Sequence, residues 1–148
     1  MNRPRAALAA LALPLLLVPT GCDSRQDDYC GAVEEHQERL TEITTGGDDD
    51  ALIKALPIFE DLQDKAPRDI TDDWQQVVSR VKALQEALHD AGVDPASYDR
   101  DHPPAGVDAD ARTRIDAAAR ELGSETTAAA LQSLDQEARD VCHTPLTM

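Results

Sequence analysis

Apolar residues recur every three or four positions along much of the chain, and helix-breaking residues separate the resulting segments. The clearest pattern covers about Arg68 to Ala91, where spacings of four and three residues alternate through Ile70, Trp74, Val77, Val81, Leu84 and Leu88. This spacing places the apolar side chains on one face of a helix and is typical of a helical bundle. No segment shows a competing strand pattern.

The same criterion predicts four more helices, which end at glycine or proline or begin at acidic clusters. Their approximate bounds are Asp27 to Thr45, Asp48 to Pro67, Val107 to Leu122 and Glu125 to Cys142. Pro57 lies inside the second and is expected to kink it, because proline cannot donate the internal hydrogen bond. Since each helix is too weakly apolar to stand alone, we predict an all-α fold: an antiparallel bundle of four to five helices.

Composition and charge exclude several classes of function. The chain has 148 residues, with 29 acidic residues against 14 basic ones and a formal net charge of -15. This length allows one small domain. The acidic balance argues against a nucleic-acid partner and against binding to anionic lipid surfaces. No uncharged apolar run reaches the roughly 20 residues that a transmembrane helix needs.

The N-terminal residues have the pattern of an export signal. Arg3 and Arg5 precede an uncharged stretch from Ala6 to Val18. Thirteen helical residues would reach about 20 Å, which is short of a hydrocarbon core of about 30 Å. We therefore predict that residues 1–21 are a cleaved signal peptide rather than a permanent membrane span.

The residues at the end of this segment resemble the lipobox of bacterial lipoproteins, since Thr20 and Gly21 directly precede Cys22. The resemblance implies a diacylglyceryl group on Cys22 and a lipid anchor in the membrane, with the protein at the outer face of the cell membrane. Residues 22–28 would then be a lipidated tether, residues 29–143 the helical domain and residues 144–148 a C-terminal tail. Ordinary secretion is the alternative, although Pro19 to Cys22 offers no standard signal-peptidase site.

Three cysteines in an exported chain leave one to be explained, and lipidation of Cys22 explains it. Cys30 and Cys142 then remain as a disulfide pair that joins the first and last helices in an oxidising compartment. The Tyr29-Cys30 pair, the Asp140-Val141-Cys142 end and 11 arginines against 3 lysines resemble small actinobacterial lipoproteins. That resemblance implies topology and location without an activity.

Catalytic and transition-metal motifs are weak. There is no G-x-S-x-G sequence, so we expect neither an enzyme nor a cofactor. Glu86 and His89 form a single Glu-x-x-His motif, whereas a helical bundle that binds two metal ions uses two such motifs. We therefore predict that Glu86 and His89 are a solvated pair without a metal. Trp74 lies on the apolar face of its helix and is expected in the core. An envelope hydrolase would need a concave site that joins His102 to buried carboxylates.

The long segment between the third and fourth helices, residues 94–110, is the candidate ligand or partner loop. Its candidate residues are Asp94, Tyr98, Asp99, Asp101 and His102. Tyr98 stands out because an aromatic side chain in a polar, proline-rich loop has no obvious structural role. Pro103 and Pro104 interrupt the ligand spacing that a calcium loop requires. The leading hypothesis is a non-enzymatic, lipid-anchored module that binds a protein partner in the cell envelope or a small ligand; the alternative is a metal-binding or solute-binding lipoprotein that uses this loop.

Overall fold

The computed structural model describes residues 23–148, in which five α-helices carry most of the chain. They are α1 (Asp23–Thr45), α2 (Ala51–Lys65), α3 (Thr71–Asp90), α4 (Ala109–Leu122) and α5 (Glu125–Val141), with a short 3₁₀ turn at Pro95–Ser97. No strand occurs in this part of the chain, which confirms the all-α prediction. None of the described helices combines the length and hydropathy that a membrane crossing requires.

The first three helices form an up-down-up arrangement. Residues of α1 meet α2 in antiparallel order: Arg25 donates a hydrogen bond to the carbonyl of Ala66 just beyond the end of α2, and His36 contacts Asp61 at 2.9 Å. The helix α3 then packs back against α2. As a consequence, α1 and α3 run in the same direction and finish at the same end of the bundle, which we call the loop end.

The remaining two helices cover successive halves of α3. Near the loop end, Leu88 shares a buried apolar cluster with Ile115 of α4. Further along, the amide of Gln76 donates a hydrogen bond to the hydroxyl of Thr127 at the start of α5. The central helix α3 therefore packs against α2, α4 and α5, while α5 also reaches α1. The bundle is therefore four helices across: α1, α2 and α3 each form one side, and α4 and α5 together form the fourth.

The main core is built around Trp74, the one tryptophan of the sequence, which is fully buried. Its ring lies 5.8 Å from that of Phe59 and 6.5 Å from that of Tyr29, measured between centroids. The indole N–H of Trp74 donates a hydrogen bond of 3.2 Å to the Tyr29 hydroxyl, which satisfies a buried donor. Burial raises the pKa of Tyr29 to about 12, an effect that this hydrogen bond partly offsets. The expectation that Trp74 belongs to the core is confirmed.

Cys30 and Cys142 form the predicted disulfide, with their Cα atoms 5.0 Å apart. Cys30 lies in α1, and Cys142 is the residue that ends α5. Since α1 and α5 otherwise share a small interface, the bridge is the principal connection between the first and last helices.

The ordered domain extends beyond two of the predicted boundaries. Residues 23–28 are already helical, so they form the first turns of α1 instead of a tether that precedes it. The hydrogen bond from Arg25 to the Ala66 carbonyl ties these turns to the α2–α3 connection. Aspartates near a helix N-terminus also stabilise a helix, because they interact favourably with the positive end of its dipole. Cys22 and the predicted signal peptide lie outside the described residues.

The second boundary is that of the C-terminal tail, whose residues 144–148 pack against the bundle. Leu146 is buried in the main core. The side-chain amide of Gln37 donates to the Pro145 carbonyl at 2.9 Å, and the backbone N–H of Met148 donates to the Thr41 hydroxyl at 2.9 Å. The tail thus runs along α1 and continues the domain.

Pro57 does not interrupt α2, which continues from Ala51 to Lys65. Pro57 is exposed, so the carbonyl of Ile53, which loses its usual donor, lies on a hydrated side of the helix. The predicted glycine stops are found after α1 and α3, where Gly47 and Gly92 adopt positive φ angles of 74° and 67°. These turns bring the 46–50 connection and the 91–108 segment together at the loop end.

Candidate ligand-binding cavity

The 91–108 segment is pinned to the bundle at its beginning. The backbone N–H of Val93 donates to the Leu88 carbonyl at 3.0 Å. Asp94 then caps the 3₁₀ turn, because its carboxylate accepts the backbone N–H of Ala96 at 3.1 Å. Asp94 therefore has a structural role and does not line the cavity described below.

Asp99 organises the exposed part of the segment. Its carboxylate accepts the backbone N–H groups of Asp101 and His102 at 2.8 and 3.1 Å, and its second oxygen lies 3.1 Å from the His102 ring. The pKa of Asp99 is lowered, chiefly by the hydrogen bond from Asp101 and then by His102. Asp101 and His102 are exposed and are held in a local turn, and they do not line the cavity.

Tyr98 has a packing role that the sequence did not indicate. It is half-buried and packs against the smaller apolar cluster at the loop end, which contains Leu88, Val107, Ala111 and Ile115. An ion pair secures the chain directly after it, since the guanidinium of Arg100 lies 2.9 Å from the carboxylate of Asp116 on α4. Together these two contacts hold the segment across the end of the bundle.

A cavity of about 120 Å³ lies beneath this segment, between α2, α3 and α4. Its walls are mainly apolar, and the apolar residues that line them are Ile53, Leu84, Leu88, Pro95, Tyr98, Ile115 and Ala119. Its polar lining comes from Asp49, Arg100 and Asp116. A wider, more open depression adjoins it, lined in part by Asp49, Tyr98, Asp99 and Arg100. The combination of an apolar interior with a few polar groups is typical of a small-molecule site.

The charge at this cavity is dominated by carboxylates. Arg100 and Asp116 neutralise one another at 2.9 Å. Asp48 and Asp50 both contact the ammonium of Lys54, at 2.6 and 2.8 Å. Among residues 23–148, no basic side chain forms an ion pair with Asp49, which is exposed beside the cavity.

Of the five candidate residues from the sequence, only Tyr98 lines the inner cavity, and Asp99 lines the outer depression. Sequence reasoning missed Asp49, Arg100 and Asp116, which supply the charge. Arg100 carries a signal that could have been used, because it is the single basic residue in a loop that also contains Asp94, Asp99 and Asp101.

Two further polar groups lie outside this cavity. Glu86 and His89 are both exposed, as the prediction of a solvated pair requires. His36, Asp61 and Lys65 form an ion-pair cluster between α1 and α2, and the pKa of Asp61 is lowered by Lys65 and then by His36. Within residues 23–148, no three His, Cys, Asp or Glu side chains converge in a group that could hold a metal ion.

No protein-family model matches the chain, and neither curated proteins nor solved structures give a significant match.

Proposed function

We propose that this protein is a lipid-anchored helical module at the outer face of the cell membrane, where it acts without catalysis by binding a ligand or an envelope partner. The observation that carries the proposal is the sequence around Cys22, in which Thr20 and Gly21 directly precede the cysteine after an export-like segment. The Cys30–Cys142 disulfide supports it, because such bonds persist in oxidising compartments.

The start of α1 gives the anchored protein an orientation. Because the chain is helical from Asp23, a lipid on Cys22 would lie next to the N-terminus of α1. At 1.5 Å per residue, the 23 residues of α1 span about 34 Å. The loop end, with its cavity, would therefore face away from the membrane and be accessible to solutes and other proteins.

The charge of the domain is consistent with this orientation. Residues 23–148 contain 29 acidic residues against 12 basic ones, which gives a net charge of -17. Anionic headgroups would repel such a domain over a Debye length of about 8 Å. Two acyl chains, at about 0.8 kcal/mol per buried methylene, would hold it at the membrane nonetheless.

The mass of the mature N-terminus tests the anchor. We expect a diacylglyceryl-modified Cys22 in the wild-type protein and release of the Cys22→Ser variant from the membrane fraction, with the Cys30–Cys142 bridge intact in both. An unmodified Cys22 thiol, a bridge between Cys22 and Cys30, or complete membrane fractionation of Cys22→Ser would refute lipid anchoring.

Binding of a small solute is the second candidate, and the cavity beneath Tyr98 favours it. A metal-binding version of this function lacks a comparable site, since no three-ligand group exists among the described residues. Calorimetric titration with calcium, zinc and manganese separates the two versions. Heat of binding and a shift in melting temperature with one of the metals would favour the metal-binding version. No heat and no shift with any of the three would count against that version and leave an organic solute as the candidate ligand.

A further inference from the structure

We infer that the cavity beneath Tyr98 binds a small organic cation, with a short alkyl chain or part of a single ring inside and an ammonium group beside Asp49. This inference rests on the solute-binding role proposed above and names the chemical class of the solute. It does not depend on the lipid anchor, since the cavity lies at the opposite end of α1.

The size of the cavity sets the size of the apolar group. Its volume is about 120 Å³, somewhat smaller than the cavity of about 150 Å³ that holds benzene, and it opens to the surface. The walls come from three helices and from Tyr98, and Ile115 is fully buried behind them. A short alkyl chain or part of a six-membered ring fits this space, with the rest of the ligand in the adjoining outer depression.

The charges beside the cavity set the sign of the ligand. The only basic group lining it, Arg100, already pairs with Asp116 at 2.9 Å. Asp49 has no ion-pair partner in the described residues, unlike its neighbours Asp48 and Asp50, which share Lys54. A net charge of -17 over residues 23–148 adds a long-range attraction for cations.

Tyr98 connects the two parts of the site. It lines both the inner cavity and the outer depression, and Asp49 does the same. An ammonium close to the Tyr98 ring would gain a cation–π contact in addition to its attraction to Asp49. A ligand that joins a ring to an amine by one or two methylenes would use both features.

Isothermal titration calorimetry of the purified full chain with 2-phenylethylamine tests the inference, with phenylacetate and 2-phenylethanol as probes of the same shape. We expect saturable binding of the amine, about tenfold weaker binding of the anionic probe, and weaker binding of the amine in high salt. Equal affinity for the three probes would overturn the cationic assignment, and no heat from any of them would overturn the site.

Variants locate the binding. Asp49→Asn is expected to weaken amine binding by about two- to fivefold and to leave 2-phenylethanol binding unchanged, because Asp49 is exposed and acts by charge. The matched control is Asp101→Asn, which changes the net charge equally at a residue that lines neither the cavity nor the outer depression. Equal effects of the two variants would refute a role for Asp49.

The interior is tested by Ala119→Leu, which adds volume to the cavity wall, and by Tyr98→Ala, which removes one wall. Both are expected to abolish measurable amine binding. If Ala119→Leu impairs folding, Tyr98→Ala decides the question, because Tyr98 is only half-buried. Wild-type affinity in a folded Tyr98→Ala variant would overturn the inference, whereas the mass of the N-terminus decides lipid anchoring separately.

Discussion

Replacing both bridging cysteines, in the variant Cys30→Ser/Cys142→Ser, isolates the contribution of the disulfide to stability. The bridge spans 112 residues of sequence and joins helices that otherwise share a small interface. Without it, the unfolded chain gains conformational freedom that the native state does not, so the free energy of unfolding must fall.

The size of the effect follows from the length of the closed loop. For a loop of this length, chain entropy gives about 5 kcal/mol at 25 °C, and measured disulfides more often contribute about 2 to 4 kcal/mol. We therefore expect a loss of about 2 to 5 kcal/mol. At about 4 °C per kcal/mol for a domain of this size, the melting temperature should fall by about 8 to 20 °C.

Urea unfolding followed by tryptophan fluorescence measures this loss, because the protein has one tryptophan and it is fully buried. The dependence of the free energy on urea should also steepen, since an unbridged chain exposes more surface when it unfolds. Cys22→Ser is the matched control, because it removes a cysteine outside the loop, and it should match the wild type in both quantities.

A loss below about 1 kcal/mol with an unchanged urea dependence would refute the reasoning. It would mean that the unfolded chain is compact without the bridge, or that strain in the native bridge cancels its benefit. A large loss in Cys22→Ser would instead show that Cys22 takes part in the bridging.

Three further changes test individual contacts. Tyr29→Phe leaves the buried indole N–H of Trp74 without an acceptor and should cost about 1 to 3 kcal/mol in urea unfolding. Glu137→Gln should raise the melting temperature at neutral pH. Burial raises the pKa of Glu137, so ionising this side chain is unfavourable in the folded state. The gain from Gln should therefore vanish below the ordinary pKa of 4.5, where Glu137 is protonated in both the folded and the unfolded state. Asp61→Asn should lower the melting temperature at pH values above the ordinary pKa of 3.8, because Lys65 stabilises the Asp61 carboxylate there. The variant should match the wild type once the pH falls through the lowered pKa of Asp61.

Each of these substitutions has a matched control, which makes the same change of side chain at a residue that lacks the named contact. Tyr98→Phe removes a hydroxyl from a half-buried ring outside the main core, Glu34→Gln removes an exposed charge from α1, and Asp64→Asn removes an exposed charge from α2. If a control reproduces the stability change of its partner, the contact named for that partner is not the cause.

Helical periodicity was sufficient to predict most of the core. The positions chosen on the third helix, from Ile70 to Leu88, are buried with the exception of the half-buried Leu84. This works because a residue's place on a helix face depends only on its neighbours in sequence, and each amphipathic helix must bury its apolar face. The disulfide was also predicted, because the sequence has three cysteines and the expected lipidation of Cys22 left one pair.

The tail and the cavity could not be predicted in this way. Leu146 is buried by contacts that depend on distant partners, as the hydrogen bond from Gln37 to Pro145 illustrates across 108 residues. The cavity likewise needs Asp49, Tyr98 and Ala119, which come from three separate parts of the chain. No local pattern specifies such meetings, since they depend on how the helices pack.

The position of the disulfide also determines how the molecule responds to mechanical load. If Cys22 is held at the membrane as proposed, a force on Met148 would pass from the tail to Cys142, across the bridge to Cys30, and along the first turns of α1. The residues between the two bridging cysteines lie outside this covalent path. The bulk of the bundle would therefore keep its shape under tension that extends its two ends.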